Sequence, residues 1–186
     1  MARTMSDLPE SEAYRLATSP SHLLHRAEQM AADRFTQLVG DTVTLRQFAV
    51  LAAIAESPGL SQSDLVRATG VDRSTMADMM NRMETRGWIT RVASTLDARA
   101  RSVRLAAAGV TLLAAATHHA RAADAAILDA LPGTKRRAFL NTLTKLARIS
   151  DEAAAKAERE QRRQAKRNRK EPKKKDVKGA PKKPRR

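Results

Sequence analysis

The chain has 186 residues, a formal net charge of +15, 3% aromatic residues and no cysteine. That length suffices for one packed domain with extensions. The missing cysteine excludes disulfides, thiolate zinc sites and thiol-based redox sensing. So few rings argue against modules that read single strands by base stacking. The charge is uneven: residues 156–186 hold sixteen Lys or Arg against four Asp or Glu (+12), whereas residues 1–155 hold nineteen against sixteen (+3). No apolar run reaches the roughly 18 residues of a membrane span, so no membrane partner is expected. The acid-containing start MARTMSDLPESEAYRLA lacks a hydrophobic signal core, so a cytoplasmic placement is expected.

Residues 1–18 read as a loose N-terminal arm. Ser19-Pro20 then opens a helix, with serine as cap and proline in the first turn. Over residues 19–38 its apolar face is Leu23, Leu24, Ala27, Met30, Ala31, Phe35 and Leu38, and Gly40-Asp41 breaks it. Thr44 and Gln47 form a capping box for a second helix, lined by Leu45, Phe48, Leu51, Ala52 and Ala55 and ended by Ser57-Pro58-Gly59. Ser61 followed by Asp64 opens a third in the same way, Gly70 suits a turn needing positive φ, and Asp72 caps a fourth. On that fourth helix Met76, Met79, Met80 and Met83 recur at spacings of three and four and predict a buried stripe. Ser74, Asp78, Asn81 and Thr85 project oppositely, with Ala77 and Arg82 flanking them and Arg73 nearby. Short donors and acceptors beside a cation match what base edges and phosphates require; the plainer alternative is a solvated helix face.

After Gly87, Trp88–Val92 reads as a strand and Ser102–Leu105 as its return, with Asp97, Arg99 and Arg101 between or beside them. An arginine at such a tip can enter a minor groove, and Asp97 can orient Arg99. Helix, turn, helix and ribbon over about residues 44–105 make a winged helix-turn-helix, whose second helix fits a DNA major groove. An alanine-rich helix follows over 106–131, then Pro132-Gly133-Thr134 and a last helix over 135–155 presenting Phe139, Leu140, Leu143, Leu146 and Ala147. Helices 19–38, 106–131 and 135–155 are too long to bury their apolar sides on a small winged domain, so they are expected to build a dimer. The fold class is mostly α with a small β-wing. From residue 156 onward dense like charge with Pro and Gly predicts a disordered tail, read as a polycationic arm on DNA or, more plainly, a solubilising end.

The run LSQSDLVRATGVDRSTMADMMNRMETRGWITR followed by DARARSVRLAAAG resembles the MarR family of bacterial transcriptional regulators. The segments SPSHLLHRAEQMAADRF and GVTLLAAATHHARAADAAILDALPGTKRRAFLNTLTKLARI, before and after it, resemble that family's dimer-forming helices, so the likeness spans about residues 19–150. It implies a homodimeric repressor on a pseudo-palindromic duplex operator, released from DNA by a small-molecule effector of aromatic-acid or acyl-thioester type. Arg73, Ser74, Thr75, Asp78, Asn81 and Arg82 are then the candidate recognition-helix contacts, and Asp97, Arg99 and Arg101 those of the wing. His22, His25, Arg26 and Arg46 are candidates for an effector pocket between the dimer helices and the winged domain. Two departures matter. Ala77-Asp78 replaces a Thr-Arg type pair, leaving Asp78 either to accept from cytosine N4 or to be repelled by phosphate, and Leu105-Ala106 replaces Leu-Thr, losing a hydroxyl cap.

Two other classes compete with this reading. An architectural DNA-binding protein dominated by its tail would show weak sequence choice and steep salt dependence. An enzyme lacks support: there is no phosphate-cradling glycine loop, nucleophile motif or cofactor signature. Neighbouring His118 and His119 point about 100° apart on a helix, and His22 with His25 lacks a carboxylate partner, so no metal site or cofactor is expected.

Overall fold

The computed structural model describes residues 14–93 and 101–170. Four of its helices begin where a side chain takes up amides at the first turn. Ser19 accepts from the His22 amide and starts α1 (Pro20–Val39) with proline in its first turn. Thr44 with Gln47, and Ser61 with Asp64, make reciprocal capping boxes that start α2 (Leu45–Glu56) and α3 (Gln62–Thr69). Asp72 accepts from the Thr75 amide and starts α4 (Arg73–Thr85). Between α3 and α4, Gly70 takes φ +68°, a left-handed turn that side chains rarely adopt. A short 3-10 turn, Leu16–Thr18, precedes α1.

The ribbon is β1 (Ile89–Ala93) against β2 (Arg101–Leu105), antiparallel, with Ile89 opposite Leu105 and Ala93 opposite Arg101. Leu60 and Ser61 add a short third edge. The Val103 amide donates to the Leu60 carbonyl at 2.9 Å, the Gly59 amide donates to the Val103 carbonyl at 3.2 Å, and Ser61 bridges Ser102. These bonds tie the entry to α3 directly to the ribbon. The long helices are α5 (Ala107–Asp129) and α6 (Gly133–Lys170). Ala106 caps α5 without a side-chain bond, as the missing hydroxyl predicts; its amide donates instead to the Trp88 carbonyl at 2.9 Å.

The described residues fall into two compact units, one ending at Leu140 and the other starting at Asn141. In the first, α1 packs on α5, while α2 packs against α3, β2 and α5. Its core joins Phe35, Val50, Leu51, Ile54 and Leu65 to Ile89 and Val103 and to the methionine stripe of α4. Of the apolar face expected on α1, Phe35 is buried, whereas Leu23, Leu24, Met30 and Leu38 are exposed. The second unit is the helical stretch 141–170, where Leu143, Leu146 and Ile149 are exposed and Arg148 lies 3.7 Å from Glu152 one turn on. This corrects two expectations. The last helix does not stop near residue 155, and residues 156–170 are helical instead of lacking structure. The reason is local: AAAKAEREQRRQAK consists of strong helix formers, and the first proline beyond it is Pro172. Residues 171–186 of the expected tail, and residues 1–13 of the N-terminal arm, lie outside the described residues.

Candidate nucleic-acid interface

α4 owes its two-sidedness to helical spacing. Met76, Met79, Met80 and Met83 are at most 4% exposed, and Arg73, Ser74, Asp78, Asn81 and Arg82 are all exposed. Thr75 is half-buried at the edge of that surface. The first turn is tightly organised: Asp72 Oδ1 accepts from Ser74 Oγ at 2.7 Å and from the Thr75 amide at 2.9 Å. These bonds, those from Thr75 foremost, hold the Asp72 carboxyl well below the usual carboxylate range. The first turn therefore carries a fixed negative charge that engages the Ser74 hydroxyl, with the Arg73 cation beside it. Asn81 is placed differently from a solvent-facing amide, because Arg91 Nη2 from β1 donates to its Oδ1 at 2.6 Å. Arg91 Nε also lies 3.3 Å from Glu84 Oε2. Arg86, just past α4, places its guanidinium 5.0 Å from the centre of the Trp88 ring.

The wing is placed only in part. Arg101 pairs with Ala93 at the open end of the ribbon, while Asp97 and Arg99 lie outside the described residues, as does the Arg101 side chain. α3, which supports α4, is fastened by Asp64: its Oδ2 accepts from the Ser61 hydroxyl at 2.6 Å and the Ser61 amide at 2.9 Å, and it pairs with Arg67. The Ser61 bonds, chiefly the hydroxyl's, pull the Asp64 carboxyl below its ordinary value.

The four residues expected at an effector pocket do not share one. Arg46 lines a cavity of about 470 Å³ together with Glu28, Leu45, Thr69, Asp72 and Thr75, and its guanidinium donates to Glu28 Oε1 at 2.7 Å. Arg26 lines a separate cavity on the outer side of α1 with Asp33 and Arg34. His22 spends its backbone amide on the Ser19 cap, and His25 is exposed. Spacings of three and four put His22, His25 and Arg26 on one side of α1, but none of them lines the cavity that Arg46 borders from α2. Sequence reasoning passes over a larger cavity of about 580 Å³, walled by Ile54, Leu105, Val110, Leu113 and Thr117 with Arg104 on its rim. It also passes over Arg91, whose only sequence signal is a cation on the inward-facing register of a strand. Among the described residues no group of three or more His, Cys, Asp or Glu side chains could hold a metal ion, and no helix is long and apolar enough to cross a membrane.

The comparisons agree with this architecture. A family model described as "MarR family" matches residues 41–100. The chain is 34% identical over 125 residues to the transcriptional regulator HosA of Escherichia coli O111:H-, covering 67% of this chain and 92% of that protein. Its structure is similar to that of Bordetella bronchiseptica BpsR, reported with a mechanism for regulation of DNA binding by 6-hydroxynicotinic acid (TM-score 0.67, 27% identity, 72% of this chain and 96% of the other). It is also similar to the transcriptional repressor CouR bound to a 23-mer DNA duplex (TM-score 0.64, 26% identity, 76% and 99%). With its winged helix-turn-helix, the exposed polar side of α4 and this extent of likeness, the chain belongs to the MarR family of DNA-binding transcriptional regulators.

Proposed function

We propose that this regulator is a homodimeric repressor that reads a pseudo-palindromic operator and leaves it when an aromatic acid binds. One observation carries the reading: α4 exposes Arg73, Ser74, Asp78, Asn81 and Arg82 on one side while four methionines bury the other. The apolar residues exposed on α1 and, separately, on α6 are surface that a second copy would cover. Two α4 helices related by a two-fold axis then enter successive major grooves, roughly 34–36 Å apart. Arg73 and Arg82 serve phosphates and guanine edges, Ser74 and Thr75 the backbone, and Asp78 a cytosine amine, while Asp97, Arg99 and Arg101 carry the wing into the minor groove. Such a protein works in the cytoplasm, associated with the nucleoid, and residues 156–186 bind further phosphates beside the operator.

For the effector, the 580 Å³ cavity fits an aromatic acid better than the 470 Å³ one. Aliphatic walls accept the ring and Arg104 the carboxylate, whereas Arg46 is already paired to Glu28. A ligand lodged among α2, β2 and α5 would favour dimers in which the ribbon and α4 are displaced, lowering the DNA-competent population. BpsR, regulated by 6-hydroxynicotinic acid, supports the ligand class. Selection from randomised duplexes tests the DNA reading: a two-fold symmetric site with half-sites one helical turn apart is expected, and enrichment of no motif refutes it. Thermal-shift titration with salicylate tests the effector: stabilisation of the wild type but not of Arg104→Ala is expected. Loss of the shift in Arg46→Ala instead moves the ligand to the other cavity, and no shift at all refutes sensing of this class.

A further inference from the structure

Arg91 stands on β1 two residues after buried Ile89 and opposite buried Val103, so it shares the ribbon's inward face. Its guanidinium reaches α4 and spans two residues one turn apart, Asn81 and Glu84, with the arginine side chain itself only 16% exposed. The two interactions are not equivalent. Nε lies within ion-pair distance of Glu84 yet makes no hydrogen bond, whereas Nη2 to Asn81 Oδ1, at 2.6 Å, is short and aligned. The amide of Asn81 is therefore held in one orientation. Reversing it would set its NH2 against the guanidinium, two donors face to face. With one lone pair of Oδ1 engaged by a charged donor, the stronger interaction that Asn81 offers the outside is through its Nδ2 hydrogens.

We propose that Arg91 is a specificity-determining positioning residue: by fixing the Asn81 amide and engaging its oxygen it makes Asn81 read chiefly as a donor and so selects the base beneath it. An unconstrained asparagine reads adenine in bidentate fashion, accepting from N6 and donating to N7. With one lone pair of Oδ1 held by a guanidinium, the other is a weaker acceptor for adenine N6, and the favoured partners become acceptor edges, guanine O6 and N7 or thymine O4. The proposal rests on the reading of α4 as the element in the major groove, and it goes beyond that reading by assigning a base class to one position and its control to the wing strand.

The test is selection from randomised duplexes with full-length protein, followed by affinity measurements on the four base pairs at one operator position. That position is the one whose preference vanishes in Asn81→Ala. The wild type is expected to prefer guanine or thymine there. Arg91→Met is expected to swing the preference toward adenine by about tenfold, while positions read through Arg73 keep theirs. Arg91→Lys, which retains a cationic donor, should keep the wild-type choice; a purely structural role for Arg91 would move melting temperature and overall affinity but not the identity of one base. If Arg91→Met does not fold, Asn81→Asp serves: it keeps an acceptor for Arg91 but removes the outward donor, so the preference should pass to cytosine or adenine amines. Adenine in the wild-type site, or an Arg91→Met profile equal to wild type, overturns the proposal. If Asn81→Ala alters no position while the rest of the motif stands, the Arg91 proposal alone fails; if the wild type enriches no motif, the reading of α4 fails with it.

Discussion

A methyl group added at Gly109 has almost nowhere to go. The glycine is buried in the first turn of α5, and an ideal Cβ there would lie 2.0 Å from the Trp88 carbonyl oxygen and 2.9 Å from its carbonyl carbon. Both are backbone atoms, so relief requires moving either α5 or the start of β1 by about an ångström. The same Trp88 carbonyl accepts from the Ala106 amide, and that bond would stretch as the elements separate. Overpacking of this kind costs about 1–3 kcal/mol, and the weakened hydrogen bond adds about 1 kcal/mol. The alanine recovers about 1 kcal/mol of helix propensity, leaving a net destabilisation of about 2 kcal/mol. For a chain of this length that corresponds to a fall in Tm of about 4–8 °C. Differential scanning calorimetry of Gly109→Ala reads it directly, and operator affinity should drop as well, because α5 and the ribbon meet there. Gly133→Ala is the control: no atom lies within 4 Å of its added Cβ, so Tm should hold or rise slightly. A Gly109→Ala protein melting at or above the wild type would refute the steric argument.

Asp72→Ala removes the cap of α4 and should lower the urea midpoint, with weaker operator binding as the first turn frays; an unchanged midpoint would mean that the cap bonds contribute nothing. Met80→Ala opens a cavity beneath α4 at a site 1% exposed, and a destabilisation of about 2–5 kcal/mol is expected; less than 1 kcal/mol would show a core able to collapse onto the gap. Asp64 has a carboxyl pKa lowered by its bonds from Ser61, so its folded value lies below its unfolded value of about 3.9. The stabilisation is present above that pH and disappears as pH falls through the folded value. Urea midpoints should therefore fall below about pH 4, less steeply in Ser61→Ala; equal slopes would remove Ser61 as the cause. Deleting residues 156–186 removes sixteen cations and should flatten the dependence of log affinity on log salt by about 0.9 for each phosphate that the tail neutralises. Operator preference should survive the deletion, and its disappearance would favour the architectural alternative.

Much of the candidate interface is legible in the sequence because its signals are local. A serine or threonine three residues before Asp64 or Gln47 marks a helix start whatever surrounds it, and both boxes close in the structure. The methionine spacing on α4 predicts which side is buried, since a helix turns 100° per residue regardless of context, and all four side chains are buried. The grouping of the effector candidates is not legible in the same way. Whether His22, Arg26 and Arg46 converge depends on how α1 packs against α2 and α5, and no spacing within α1 encodes that. The end of α6 escapes a reading that treats like charge as a breaker, because lysine, arginine, glutamate and alanine are all good helix formers.

The amino-acid order by itself determined where helices begin, which turn needs a glycine, which face of α4 is apolar, and the family to which these motifs belong. These depend on bonds within a turn or on a fixed helical period. Tertiary structure alone decided that Arg91 crosses ten residues of chain to hold Asn81, that Gly109 lies against the Trp88 carbonyl, and that Arg104 stands at an apolar cavity among α2, β2 and α5. Those pairings join residues on different elements, and their distances follow from how the elements pack, which a local pattern does not contain.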